Sequence, residues 1–377
     1  EVVDALDDVL ALGKQVKKTP APVVREGATF KDFRLTKKLA EGAGGATWRV
    51  HHIHEEVDYV AKIALGDQAS YLHVEKDVLR ELGHPNVVRY KDITSITDTG
   101  LMLVVHLVDG VTGEEQAGAG DPLDAARLLR LGEGLFAGLG ALHDKGILHR
   151  DLKPANVMLE GDLTPVIIDF GLAAHVGDAT LTVGTVDYKD PGLYERGAWD
   201  AAMDLFAGWI VLYEIATGEH PFGGRPHPGQ LPAIATHLFP DDLDEARRGA
   251  LAEVFEAALS PIVETRPATA AEAAAKLRAV LAPQAGQQTK LDLSEKTEVT
   301  PVEPGRLPAD VEASAAVAVL EPHLSPRAFR ALRRLNVPQV GAIAGLDPLA
   351  FERMRNVGRK TKEELRDLIR EVQERFP

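Results

Sequence analysis

The densest chemistry in the chain lies in HRDLKPANVML, His149 to Leu159. Asp151 is a carboxylate suited to accepting the proton of a hydroxyl, or to orienting that hydroxyl for attack. Lys153, two residues on, carries an ammonium that can reach a transferring phosphate, and Asn156, five residues after Asp151, offers an amide oxygen to a hard cation. Ten residues beyond Leu159, the apolar run Val166, Ile167 and Ile168 reads as a short buried strand that delivers Asp169, with Phe170 and Gly171 behind it. Mg²⁺ takes one or two carboxylates and completes its octahedron with phosphates and water, so Asp169 is the main candidate ligand and Asn156 the second. Phosphoryl transfer asks a protein chiefly to position its partners and to neutralise oxygen charge. Singly, each residue would also suit a loop turn or a helix cap. The ordered string is what points to phosphoryl transfer.

From about Phe30 to Pro283 the chain resembles the eukaryotic-type (Hanks-type) serine/threonine protein kinases. The resemblance implies an α+β, bilobal fold with a small β-rich N-lobe and a larger helical C-lobe. ATP is then the phosphate donor, Mg²⁺ (or Mn²⁺) the metal, and protein serine or threonine hydroxyls the acceptors. It assigns Lys62, in DYVAKIA, to the α and β phosphates, and Glu75, nine residues before His84, to pairing with that lysine. LAEGAGGATWRV, Leu39 to Val50, matches the glycine-rich loop over the phosphates, with Gly42 and Gly45 in their usual places, Ala40 for the first glycine and Gly44 for the tip aromatic. Leu39, Gly42, Gly44, Gly45, Thr47 and Val60 are the nucleotide contacts this implies, with Val105 as gatekeeper, His106 and Leu107 in the hinge, and Met158 as the adenine floor. Thr185, in GTVDY, would bond Asp151 and Lys153 and, with Lys153, points to serine/threonine substrates. Thr180 and Thr182 are the candidate autophosphorylation sites, and Arg150 the residue through which a phosphate could order that loop.

Two scaffold departures follow from the same resemblance. The family's Ala-Pro-Glu triplet is Asp190-Pro191-Gly192 here, which removes the usual partner of the buried arginine matched by Arg266. A buried guanidinium without a partner is costly, so Asp190 or Glu195 is expected to replace it, unless the site stays hydrated. Asp204 matches the aspartate that anchors the catalytic loop, although Trp209 stands where glycine is usual. The chemical residues are complete, which favours an active enzyme; the alternative is a pseudokinase scaffold that binds nucleotide or a partner without turnover.

The elements that must position these residues read as short strands (FRLTKKLA, ATWRVHHI, DYVAKIAL, LMLVVHLV) followed by longer helical stretches. Four segments result: an N-terminal helix and linker over 1–29, the kinase-like region over 30–283, a polar Pro- and Gly-containing linker over 284–310, and a small helical domain over 311–377. Residues 1 to about 18 carry apolar groups at helical spacing until TPAPV stops them. His51, His52 and His54 cluster in HHIHEE, but they fall in an exposed turn between strands and are not read as a metal site. The absence of cysteine excludes disulfides and suits a cytoplasmic location. No apolar run approaches the ~20 residues that span a bilayer, and a chain that starts at Glu1 reads as a piece of a longer protein.

Charge is uneven. Glu321 to Pro377 carry 12 Lys+Arg against 8 Asp+Glu, a net of +4, which leaves −19 on the remainder of a chain whose total is −15. Leu324 to Val372 resemble the helix-hairpin-helix-containing C-terminal domain of the bacterial RNA polymerase α subunit, NVGRKTKEEL being the most specific piece. The resemblance implies DNA contacts from Arg327, Arg330, Gly358, Arg359, Lys360 and Thr361; the alternative is protein docking without DNA. A kinase joined to such a module is similar in arrangement to the large kinase of phage-growth-limitation (BREX) systems, which implies bacterial signalling or defence.

Overall fold

Alternating polarity marks FRLTKKLA, ATWRVHHI, DYVAKIAL and LMLVVHLV, and these segments fold as strands. The computed structural model describes residues 24–42, 44–119, 123–177, 183–192, 197–283, 307, 311–324, 328–329, 332, 335, 337–346 and 359–376. They form two compact units, one within Glu1–His73 and Tyr90–Leu107, the other within Val74–Arg89 and Val108–Pro377. The expected helix over residues 1–18 lies outside the described residues.

The first unit is built on β1 (Thr29–Phe30), β2 (Phe33–Gly42), β3 (Gly45–His52), β4 (Val57–Leu65), β5 (Tyr90–Thr97) and β6 (Gly100–His106), in sheet order β1-β2-β3-β4-β6-β5. Successive side chains on a strand point to opposite faces. Phe33, Leu35, Trp48, Val50, Tyr59, Ala61, Ile63, Met102 and Val104 therefore make one apolar core. The register pairs Thr47 with Lys62 and Val60 with Val105. Alternation sets those four on the face opposite the core. Helix α1 (Ala69–Glu81) follows β4 and buries Leu72, Glu75, Val78 and Leu79 at helical spacing.

The second unit is largely helical. It holds β7 (Gly110–Thr112), α2 (Gly113–Ala119), α3 (Ala125–His143), β8 (Ile147–Leu148), β9 (Val157–Glu160), β10 (Thr164–Ile167), β11 (Ala174–His175), α4 (Ala201–Thr217), α5 (Glu245–Ala258) and α6 (Ala270–Leu281). Two small sheets, β10-β9-β7 and β11-β8, carry the loops of interest. Helix α3 starts at Asp124, whose carboxylate accepts the Arg127 amide, and buries Leu128, Leu131, Leu135, Leu139 and Leu142 along one stripe. Helix α4 is buried from Met203 to Thr217, as expected of a helix apolar on all sides. Trp209 fills its surroundings, with ring centroids 4.7 Å from Phe136 and 5.4 Å from Phe255.

In the tail, helix α7 (Arg359–Arg375) buries Leu365, Leu368, Ile369 and Val372, one face of 3.6-residue periodicity, against Leu320, Leu324, Leu332, Val340 and Ile343. Leu307 joins this core, and its amide bonds Glu371 at 3.2 Å. Leu307 falls in the segment read as a linker over 284–310, so at least one apolar residue of that segment packs on this core. Among the described residues no helix is long and apolar enough to cross a membrane.

Candidate active site

The catalytic loop is held from beneath by one buried carboxylate. Asp204, in the first turn of α4 and 1% exposed, accepts the amides of His149 at 2.8 Å and Arg150 at 3.0 Å and meets His143 Nε2 at 3.1 Å. Burial pushes the Asp204 pKa up, but the His143 hydrogen bond, the His143 and His149 charges and the Arg150 amide outweigh it, and the pKa lies below the usual carboxylate value. Arg150 adopts φ 65°, the left-handed region that non-glycine residues rarely enter, and its Nε donates to Leu172 O at 2.9 Å. That bond ties the loop to the segment following Asp169.

Above this anchor the predicted residues converge. Asp151 Oδ1 accepts both the amide and the hydroxyl of Thr185, each at 2.7 Å, while Lys153 Nζ lies 2.9 Å from Asp151 Oδ2 and 3.2 Å from Thr185 Oγ1. Thr185 can come this close because Gly184 precedes it at φ 87°; a Cβ on Gly184 would sit 2.2 Å from Arg150 O. Asn156 Nδ2 donates to Asp151 O at 2.8 Å, which fixes the amide plane and turns its oxygen away from Asp151. Asn156 O in turn accepts the Ile168 amide at 2.9 Å. This contact sets Asn156 beside the residue before Asp169.

Asp169 has φ 66°, a second left-handed non-glycine at the same place, and such strain gathers at functional sites. Phe170 is buried, edge-on to the His149 ring at 5.1 Å, and its amide donates to Glu75 Oε1 at 3.2 Å. Glu75, 1% exposed on α1, thus holds the Asp169–Phe170 turn, a contact that one-dimensional spacing does not reveal. Asn156 and Asp169 are both hard oxygen donors on adjoining backbone, and they fit a Mg²⁺ that takes its remaining ligands from phosphate and water.

Residues 33–245 match the family model described as the protein kinase domain. The chain belongs to that family. Serine/threonine-protein kinase PkaA of Streptomyces coelicolor is 34% identical over 213 residues, covering 52% of this chain and 38% of that protein. Pkn1 of Myxococcus xanthus is 30% identical over 285 residues, 70% of this chain and 41% of that one. PknB of Mycobacterium leprae is 30% identical over 227 residues, with 56% and 36% covered. The chain thus spans about two fifths of the length of these curated relatives.

Beyond the matched residues, Arg266 finds the substitute partner among the two acids expected. Its Nη1 lies 2.6 Å from Asp190 Oδ2, with the two side chains 5% and 0% exposed. Nε donates to Ser260 O at 2.7 Å and the guanidinium lies 4.7 Å from the Phe206 ring centroid. Glu195, Thr180 and Thr182 lie outside the described residues.

On β4, Lys62 is half-buried beside Thr47, and Val60 and Val105 continue the same face. Gly42 and Gly45 close the β2–β3 hairpin, and Gly45 is required: at φ 119°, an added Cβ would lie 2.2 Å from Ile63 O. Leu39, Gly42 and Gly44 are exposed. His106 lies on the core side, its ring 5.2 Å from Tyr59, so only its backbone suits a hinge role; Leu107 is half-buried. Met158 is half-buried on β9, paired with Thr112 and Val166.

Two expectations are corrected. His52 is buried against Phe33 and Tyr59 instead of exposed, since it ends β3 on the core face; His51 bonds Asp58 at 2.8 Å. In the tail, Thr361 is buried in α7 at 6% exposure, which does not suit a hydroxyl offered to DNA. Arg327, Arg330 and Gly358, and the side chains of Arg359 and Lys360, lie outside what the structure describes.

Proposed function

We propose that the domain is a catalytically active serine/threonine protein kinase that moves the γ-phosphate of ATP to protein hydroxyls, its own Thr180 and Thr182 included. The observation that carries this is the Asp151 carboxylate, held by Thr185 and Lys153. A substrate serine entering beside Asp151 would be oriented by that carboxylate and lose its proton to it as the oxygen attacks the γ-phosphorus of ATP, whose bond to the β–γ bridging oxygen breaks to release ADP. Lys153 Nζ neutralises charge on the transferring phosphoryl oxygens, and Lys62 does so on the α and β phosphates. Asp169 and Asn156 would hold Mg²⁺, which supplies charge neutralisation on the phosphate oxygens.

The test is incubation with labelled ATP and Mg²⁺. Asp151→Ala should lower transfer by about 10²–10⁴-fold, the usual loss for a positioned proton acceptor. Equal labelling of wild type and variant would sink the reading, and no labelling of either would leave a nucleotide- or partner-binding scaffold. The compact core around α7, with its net positive segment, supports a docking module, and the arrangement fits a role in bacterial signalling or phage defence. If the tail binds DNA, affinity for a short duplex should fall steeply with salt as counterions are released. Binding that ignores salt favours protein docking.

A further inference from the structure

Among the described residues, Lys189, in the recess of Asp151, and Arg225, across a small cavity from it, are two cations whose side chains form no ion pair. Lys189 and Arg225 line a cavity of about 70 Å³ together with Asp190, His227 and the rigid prolines Pro191, Pro226 and Pro228. Lys189 also lines the recess that contains Asp151, Thr185 and Tyr188. Its Cε lies 3.6 Å from where a Cβ on Gly184 would stand, so the side chain runs back toward the residue before Thr185. Neither the Lys189 nor the Arg225 side chain makes a hydrogen bond or ion pair with the described residues, while the acids beside them are engaged: Asp190 with Arg266, Asp151 with Thr185 and Lys153. Burial, together with the charge of Arg225 and against that of Asp151, lowers the Lys189 pKa. Two like charges converging on one cavity are unfavourable until an anion joins them. In a chain of net charge −15 this is also a local exception to an acidic body.

We propose that Lys189 and Arg225 form a specificity site that takes an acidic side chain close to the phosphoacceptor, so that the kinase selects acidic protein segments. The inference rests on the kinase reading of Asp151 and adds the class of substrate to it. Carboxylate and phosphate share the chemistry such a pair recognises, so the substrate's anion is either a native Asp or Glu or a residue already phosphorylated.

The experiment uses labelled ATP, Mg²⁺ and short synthetic peptides with one serine. Each flanking position is varied in turn among Asp, Glu, phosphoserine, Ala and Lys. At one flanking position Asp or Glu should raise kcat/KM about tenfold over Ala, mainly through KM, as expected for a partly exposed charge-assisted contact. That ratio should fall to about one in Lys189→Ala and in Arg225→Ala, and Lys189→Glu/Arg225→Glu should prefer Lys. Arg225 is exposed, so its variants keep the fold. Preference for phosphoserine over Asp supports the same site and identifies a primed substrate. Transfer with no acidic preference, or a preference that survives both alanine variants, overturns this inference and leaves the kinase reading standing. Transfer to no peptide and no self-labelling overturns both.

Discussion

The catalytic loop and the glycine-rich hairpin both depart from the family pattern nearby, yet the molecule treats the two departures differently. Where Gly192 replaces the expected glutamate, a buried guanidinium is at stake, and Asp190 moves in to meet Arg266 at 2.6 Å. Where Ala40 replaces a glycine, the position is exposed and its strand pairing with Thr47 persists, so no buried group is orphaned. Gly45, in contrast, cannot change, because its neighbour is the Ile63 carbonyl. Compensation follows burial: a lost partner is replaced only where water cannot stand in for it.

Breaking the buried pair is the severest challenge to that contrast. Asp190→Ala leaves Arg266 charged and enclosed, and should cost about 3–5 kcal/mol in denaturant unfolding, whereas Asp190→Leu with Arg266→Met should cost much less than either single change. If the double variant is no better than the singles, burial of an unpaired charge is not the reason for the substitution. At the intermediate level, Thr185→Val removes the hydroxyl that meets both Asp151 and Lys153. It should lower kcat about tenfold with little change in melting temperature, and Thr185→Ser should restore most of the loss. The smallest effect is expected at the hairpin. Ala40→Gly should leave stability within about 0.5 kcal/mol, as for exposed positions generally, and alter at most the KM for ATP. A large loss of stability there would erase the distinction between the two regions.

Much of this was legible in one dimension. The HRDLKPANVML string and the Asp169 turn are local, so residue order alone foretells that Asp151, Lys153 and Asn156 meet. Strand alternation likewise announced β2, β3, β4 and β6. β5 was not foreseen, because YKDITSIT, half-buried except at Ser95, shows no alternation. Long-range partners were out of reach for a physical reason: Asp190 and Glu195 are equivalent acids until the fold brings one of them, 76 residues away, to Arg266. His143 beneath Asp204 and Arg225 beside Lys189 were missed on the same ground. The burial of Thr361 was hidden by its place in a charged, helix-starting run.

The grip of Asp204 on two successive amides links residues 55 and 54 positions apart, and it should be visible to amide hydrogen exchange. With His149 and Asp204 both buried, these NH groups can meet solvent only when α4 itself opens. Their protection should match that of the helix interior and collapse with it. Deuterium uptake at the two amides would therefore report whether the catalytic loop is assembled, with no nucleotide, substrate or turnover in the tube.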